Sequence, residues 1–287
     1  MSNNLRRICK IYDAAEKVSF DNHSKIVLMS DCHRGTGNLG DDFYKNKDIC
    51  LHALTYYYEN NFTYIELGDG DELWENSYFD HILQTHKNVF SILSKFQKDN
   101  RLYFIYGNHD IVKRRKKFVK KHLFPLFGDI KIHEALILSQ RNTNNEILLL
   151  HGHQVDFFND RLWRVSRFLV RYLWGPLQVL GVVSPVNTSL SFCRKQTIDL
   201  KFMDWCFNEN KGLAAGHTHN YLFPEPGTIP YFNTGCCIYP QGITSIEIQE
   251  GLITLTAWHS KTVHGEKVFT REVIGGPVKI QDYFTID

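Results

Sequence analysis

The chain lacks the marks of several protein classes at once. Its seven cysteines include no C-x-x-C pair, only the adjacent Cys236-Cys237, so neither a zinc ribbon nor a disulfide framework is indicated and a reducing cytosol is the expected home. The opening residues, M-S-N-N-L-R-R-I-C-K, lack the apolar stretch of a signal peptide. The most apolar long segment, 168–183, is interrupted by Arg171, Gly175-Pro176 and Gln178, which is too short and too polar a run to span a bilayer. An excess of one charge is missing as well. The 33 basic residues meet 31 acidic ones, which speaks against an extended nucleic-acid surface. Nothing marks a linker, so a single domain over residues 1–287 is expected, with 157–208 as a helical insertion.

What is present is a repeated device: an apolar run that stops at a metal-capable side chain. Residues 25–30 (K-I-V-L-M-S) read as a strand buried on both faces and deliver Asp31-Cys32-His33. Alternation from a strand end puts Asp31 and His33 on one side, an oxygen and an imidazole nitrogen able to share a cation. Residues 63–67 (T-Y-I-E-L) end in Gly68-Asp69, and 101–106 (R-L-Y-F-I-Y) end in Gly107-Asn108-His109-Asp110. Residues 146–150 (E-I-L-L-L), paired as a hairpin with 130–138, run into His151-Gly152-His153. A short strand at 212–215 meets Gly216-His217-Thr218-His219.

Between these runs, 41–60, 78–98 and 188–208 read as helices. Strand and helix in alternation predict a mainly parallel α/β sheet with its chemistry at the carboxyl ends of the strands. Residues 228–258 have strong β character and suggest a second sheet of sequential, antiparallel strands. Residues 1–24 carry no motif and are expected to be a lead-in.

Two basic segments stand apart. Residues 113–121 (K-R-R-K-K-F-V-K-K) read as a solvated face that also raises the local concentration of a phosphate-bearing substrate. In 157–180, Arg161, Arg164, Arg167 and Arg171 recur at helical spacing opposite Leu162, Val165, Leu169 and Tyr172. That pattern fits either a helix docked on the core or a lid that meets an acyl or diphosphate group, with Arg164 as a substrate contact.

Asp31, His33, Asp69, Asn108, His151, His217 and His219 make seven hard-to-borderline ligands. That is too many for one tetrahedral zinc and suits two five- or six-coordinate divalent ions. A shared carboxylate would hold such ions about 3.5–4 Å apart, and a bridging hydroxide between them attacks a phosphoryl group at neutral pH. The donor mixture suits manganese, with iron or zinc as alternatives. Arg34, next to Asp31-Cys32-His33, is read as a substrate-phosphate contact or a salt bridge.

In order, D-x-H, G-D-x-x-E, G-N-H-D, H-G-H and G-H-x-H resemble the calcineurin-like metallophosphoesterase family over residues 25–258. The resemblance implies a four-layer α/β/β/α sandwich. It implies that Asp31, His33, Asp69 and His219 hold one ion and Asp69, Asn108, His151 and His217 the other. It implies that His109 is the acid for the leaving oxygen, oriented by Glu72, and that His153 lies behind the ligands or faces substrate. Within the family, G-D-x-x-E-x-W, H-G-H-Q-V-D and N-T-G look like the UDP-2,3-diacylglucosamine pyrophosphatase branch. That likeness implies a nucleotide-diphosphate-linked lipid as substrate and peripheral contact with the inner face of the membrane. A phosphodiesterase or nuclease of the same superfamily and a non-catalytic binding module are the competing readings.

Overall fold

The chain begins with helix α1 (Asn3–Ala14) and strand β1 (Glu16–Phe20), so the first residues are built into the fold and are not a lead-in. The structure, a computed structural model, describes residues 3–141, 143, 145–156, 167–168, 170–174, 189–240 and 242–284. Strand β2 (Lys25–Met29) follows, then helix α2 (Asp42–Glu59), whose N-terminal Asp41 accepts a hydrogen bond from the Tyr44 amide. Such a cap satisfies a backbone donor that the first turn leaves unpaired. Strand β3 (Thr63–Leu67) leads to helices α3 (Phe79–Thr85) and α4 (Lys87–Lys98). The sequence suggested one helix there. The break falls at His86, whose buried ring reaches back to Asp41 at 3.2 Å.

Strand β4 (Leu102–Ile105) completes a parallel trio with β2 and β3, and the two-residue β5 (Ile132–His133) adds to its edge. The hairpin β6 (Ala135–Gln140) and β7 (Glu146–Leu150) opens the other sheet. After it come helix α5 (Ser189–Glu209) and strands β8 (Gly212–Ala215), β9 (Tyr221–Leu222) and β10 (Tyr231–Thr234). The chain finishes with β11 (Gly242–Gln249), β12 (Leu252–Val263) and β13 (Glu266–Lys279).

The strand orders are β13-β12-β11-β2-β3-β4-β5 and β1-β6-β7-β8-β10-β9, each sheet mixed. Alternation along the strands decides the layers. Ile26, Leu28, Ile65 and Leu67 face Leu136, Leu138, Ile147 and Leu149 between the sheets. Val27, Met29, Tyr64 and Phe104 face α2 and α4, while Leu148, Leu150 and Leu213 meet Ile8, Ile198 and Trp205 on the far side. Each fully buried large apolar side chain contributes roughly 1.5–3 kcal/mol to this α/β/β/α sandwich.

One expectation is corrected. Of residues 228–258, β10 joins the second sheet, but β11 pairs antiparallel with β2 and, with β12, extends the first. The second sheet is assembled from β1, the β6–β7 hairpin and β8–β10.

Candidate metal centre

Loops leaving the carboxyl ends of parallel strands β2, β3 and β4 in one sheet, and of β7 and β8 in the other, meet at one rim. Asp31, His33, Asp69, His217 and His219 all have left-handed φ, from 48° to 69°. For residues other than glycine this costs of order 1–3 kcal/mol each and clusters at functional sites. The surrounding backbone enforces it. The Asp31, His33 and Arg34 amides donate to the Gly68, Asp69 and Gly70 carbonyls at 3.0, 2.8 and 3.0 Å, and the Gly216 amide donates to the His151 carbonyl at 2.9 Å. Glycine is required where the loops touch: a Cβ on Gly107 would lie 2.0 Å from Asp69 Oδ1, and one on Gly68 2.7 Å from the His151 ring.

The seven predicted side chains are brought together. Asp31, His33 and His219 form one group, and Asp69, His151 and His217 a second; within each, the nearest ligand atoms lie within 4.8 Å of one another. His219 Nε2 is 3.2 Å from Asp31 Oδ1 and from His33 Nε2. Asp69 Oδ2 lies between the groups, 3.1 Å from His151 Nε2 and 3.8 Å from His33 Nε2. Asn108 Oδ1 is buried without a hydrogen-bond partner among the described residues, while buried Asp31 Oδ1 and His151 Nε2 face other candidate ligands, His219 Nε2 and Asp69 Oδ2. Leaving a buried polar group unsatisfied costs about 1–3 kcal/mol, so buried ligand atoms that face only one another fit a cation site.

The other atoms of these side chains are held. Asp31 Oδ2 accepts from Ser30 Oγ at 2.5 Å and from the His217 amide at 2.9 Å. His151 Nδ1 donates to the Leu67 carbonyl at 2.8 Å, which orients the ring and turns Nε2 toward Asp69. His33 Nδ1 lies 2.9 Å from Glu72 Oε2. His217 Nε2 lies 3.2 Å from Asp156 Oδ2, a carboxylate that sequence reasoning left without a role although H-G-H-Q-V-D contains it.

His109 Nδ1 is 2.8 Å from Glu72 Oε1, and its ring stacks on Trp74 with centroids 4.2 Å apart. Burial alone would depress the charged imidazole, but Glu72 and Asp69 outweigh it and raise the His109 pKa. At His151 burial is likewise overcome, by Asp69 and Asp31, and the pKa is raised to about 9. Burial would raise the Asp31, Asp69 and Glu72 pKa values, yet the facing imidazoles hold all three below the ordinary carboxylate range.

The predicted substrate contacts fare differently. Arg34 is 1% exposed, and its guanidinium donates to Glu66 at 2.8 and 3.0 Å and to Asp71 at 2.7 Å. It cannot reach a phosphate; it is a strut beneath the site. Lys113, at the start of the basic run, is 3% exposed and lies 2.7 Å from both Asp71 and Asp110. Asp110 accepts from the Gly70 and Gly107 amides, so this network joins the three loops of the first sheet. His153 is 1% exposed behind His151 and does not face substrate. Arg164 lies outside the described residues.

The cleft measures about 280 Å³. His33, Asp69, Asn108, His217 and His219 line it with Glu72 and His109, while Asp31 and His151 sit behind them. Asp41, Asp42 and Glu75 form its outer side, and no lysine or arginine is in the lining among the described residues.

The calcineurin-like phosphoesterase profile matches residues 24–221. The chain belongs to this family. The match takes in every predicted ligand of the family site, from Asp31 to His219. No curated protein matches the chain. Among solved structures, it is similar to vacuolar protein sorting 29 from Cryptosporidium parvum, at 12% identity and a TM-score of 0.37, over 88% of this chain and 98% of that one. It is also similar to the cold-active protein-tyrosine phosphatase of a psychrophilic Shewanella, at 12% identity and a TM-score of 0.37, over 89% and 82%. Among the described residues no helix is long and apolar enough to cross a membrane.

Proposed function

We propose that this chain hydrolyses a phosphoester or diphosphate bond with two divalent cations, manganese foremost, one held by Asp31, His33, Asp69 and His219 and the other by Asp69, Asn108, His151 and His217. The observation that carries the reading is the pair of ligand groups, Asp31/His33/His219 and Asp69/His151/His217, with Asp69 Oδ2 between them at 3.1 Å from His151 Nε2 and 3.8 Å from His33 Nε2. When bound, such cations would supply charge neutralisation for phosphoryl oxygens and a water acidic enough to attack at neutral pH.

The chain supplies the rest. Asp69 Oδ2 stands between the two groups and is the oxygen suited to bridge. Glu72 takes Nδ1 of His109, which leaves Nε2 to give a proton to the departing oxygen. Trp74 fixes the plane of that ring. Glu72 also takes Nδ1 of His33, so one carboxylate orients both a ligand and the acid.

A nucleotide-diphosphate-linked lipid of the UDP-2,3-diacylglucosamine kind is the substrate we infer. It is supported by the three local motifs and by Arg171, whose guanidinium donates to the Leu73 and Trp74 carbonyls at 2.8 and 2.7 Å. That contact seats the described end of the insertion on the wall of the cleft. Cytoplasmic placement with peripheral contact at the inner membrane face follows from such a substrate.

The test is Asp69→Asn assayed on bis(p-nitrophenyl) phosphate with manganese, together with metal content. Wild type should bind two ions and turn over, and the variant should lose turnover by at least about 10³-fold and lose metal. A folded variant that keeps both would refute the site. Two ions bound by a wild type without turnover on any phosphoester would favour the binding-module reading.

A further inference from the structure

The loop from Leu73 to Tyr78 has a second side. Across it from the catalytic cleft lies a groove of about 410 Å³, and Asn76 lines both spaces. The two differ in charge. The cleft is walled by carboxylates and imidazoles. Among the described residues the groove is lined by Arg115, Lys117, Lys121, Arg167 and Arg171, with one carboxylate, Asp80, which lies 3.2 Å from His122. Arg115, Lys117 and Lys121 are exposed and make no ion pair among the described residues. Three such cations gathered in one concave site repel one another, and an anion relieves that cost.

Position narrows the choice of anion. Arg171 is anchored on Leu73 and Trp74, and Trp74 stacks on His109, so the groove starts one residue from the ring assigned to the leaving group. Among the described residues the cleft offers no lysine or arginine for a second anionic group. A substrate with just one phosphoryl group would leave the groove without an occupant.

We propose that this groove binds a second phosphate of the substrate, placed on the leaving-group side of the scissile bond. The proposal rests on the phosphoesterase reading and deepens it. The preferred substrates carry two phosphates, the reacting one at the carboxylate-and-imidazole cleft and the one that departs with the leaving group on Lys117, Lys121 and Arg115.

The test uses the full-length, manganese-loaded protein and two probes that differ by one phosphate, thymidine 5′-monophosphate and thymidine 3′,5′-bisphosphate, titrated by calorimetry. Wild type should bind the bisphosphate about tenfold more tightly, roughly the worth of one charge-assisted contact, and the ratio should fall as salt is raised. In Lys117→Ala/Lys121→Ala, shown to be folded by its thermal midpoint, the ratio should drop toward one. Equal affinities in wild type, or a ratio unchanged in the variant, would overturn the proposal. So would sedimentation with anionic phospholipid vesicles that the variant loses while the ratio stays, since the groove would then serve a lipid surface. Turnover of bis(p-nitrophenyl) phosphate is scored separately: its absence with the ratio intact would refute the hydrolase reading and leave the groove assignment standing.

Discussion

Glu72 and His109 are joined by a contact of 2.8 Å between Oε1 and Nδ1, and the same carboxylate is 2.9 Å from His33 Nδ1. Glu72→Gln keeps the shape and removes the charge that holds both rings. Turnover of bis(p-nitrophenyl) phosphate should fall about 10²-fold or more, most of it in kcat, while metal content stays at two. His109→Ala should fall by a similar factor, and the double variant by little more than either alone, because the two residues act as a unit. Additive losses would separate Glu72 from the acid.

The response to pH should depend on metal. In the metal-free protein, Asp31, Asp69 and Glu72 have lowered pKa values, so their stabilisation is present above about pH 4 and is lost as pH falls. His33, His109 and His151 have raised values, so theirs is present below about pH 6.5 and is lost as pH rises, at His151 through about 9. His217 and His219, lowered by burial, work against stability below about pH 6.5. From pH 7 to 9 the raised imidazoles dominate, and the chelated protein should lose thermal stability. A bound cation needs neutral imidazole, so the gap in thermal midpoint between manganese and chelator should widen over the same interval. A constant gap would show that these imidazoles do not ligate.

Lys113 neutralises Asp71 and Asp110 at 2.7 Å inside the protein, with Glu66 at 3.8 Å. Lys113→Met leaves Glu66 and Asp71 to Arg34, and Asp110 to the Gly70 and Gly107 amides. It should cost about 3–5 kcal/mol of stability in chemical denaturation. The neighbouring exposed Lys117→Met should stay within about 0.5 kcal/mol. Equal small effects would mean that the network does not brace the loops.

Much of this was written locally in the chain. Each candidate ligand follows an apolar strand directly, so Asp31, Asp69, Asn108, His151 and His217 could be found without knowing how the strands pair. What was hidden is tertiary. Lys113 and Lys117 sit in one uniform basic run, and only the fold decides that the first points inward. Arg34 follows a ligand motif and looks like a phosphate contact, yet Glu66 and Asp71 draw it beneath the site. The pairing of β11 with β2 spans more than two hundred residues, a register that no local pattern encodes. His86 splits a continuous apolar periodicity because its partner, Asp41, belongs to another helix.

The seven candidate ligands are divided between the two sheets, Asp31 to Asn108 on one and His151 to His219 on the other. A cation held by both halves is therefore a rivet across the sandwich. Because the last of these side chains is His219, the rivet cannot be driven until the chain has been made as far as the loop after β8. Capture of a cation at this rim would thus be a closing event in the birth of this protein, and a cell starved of the ion would accumulate chains whose layers have met but are not yet pinned.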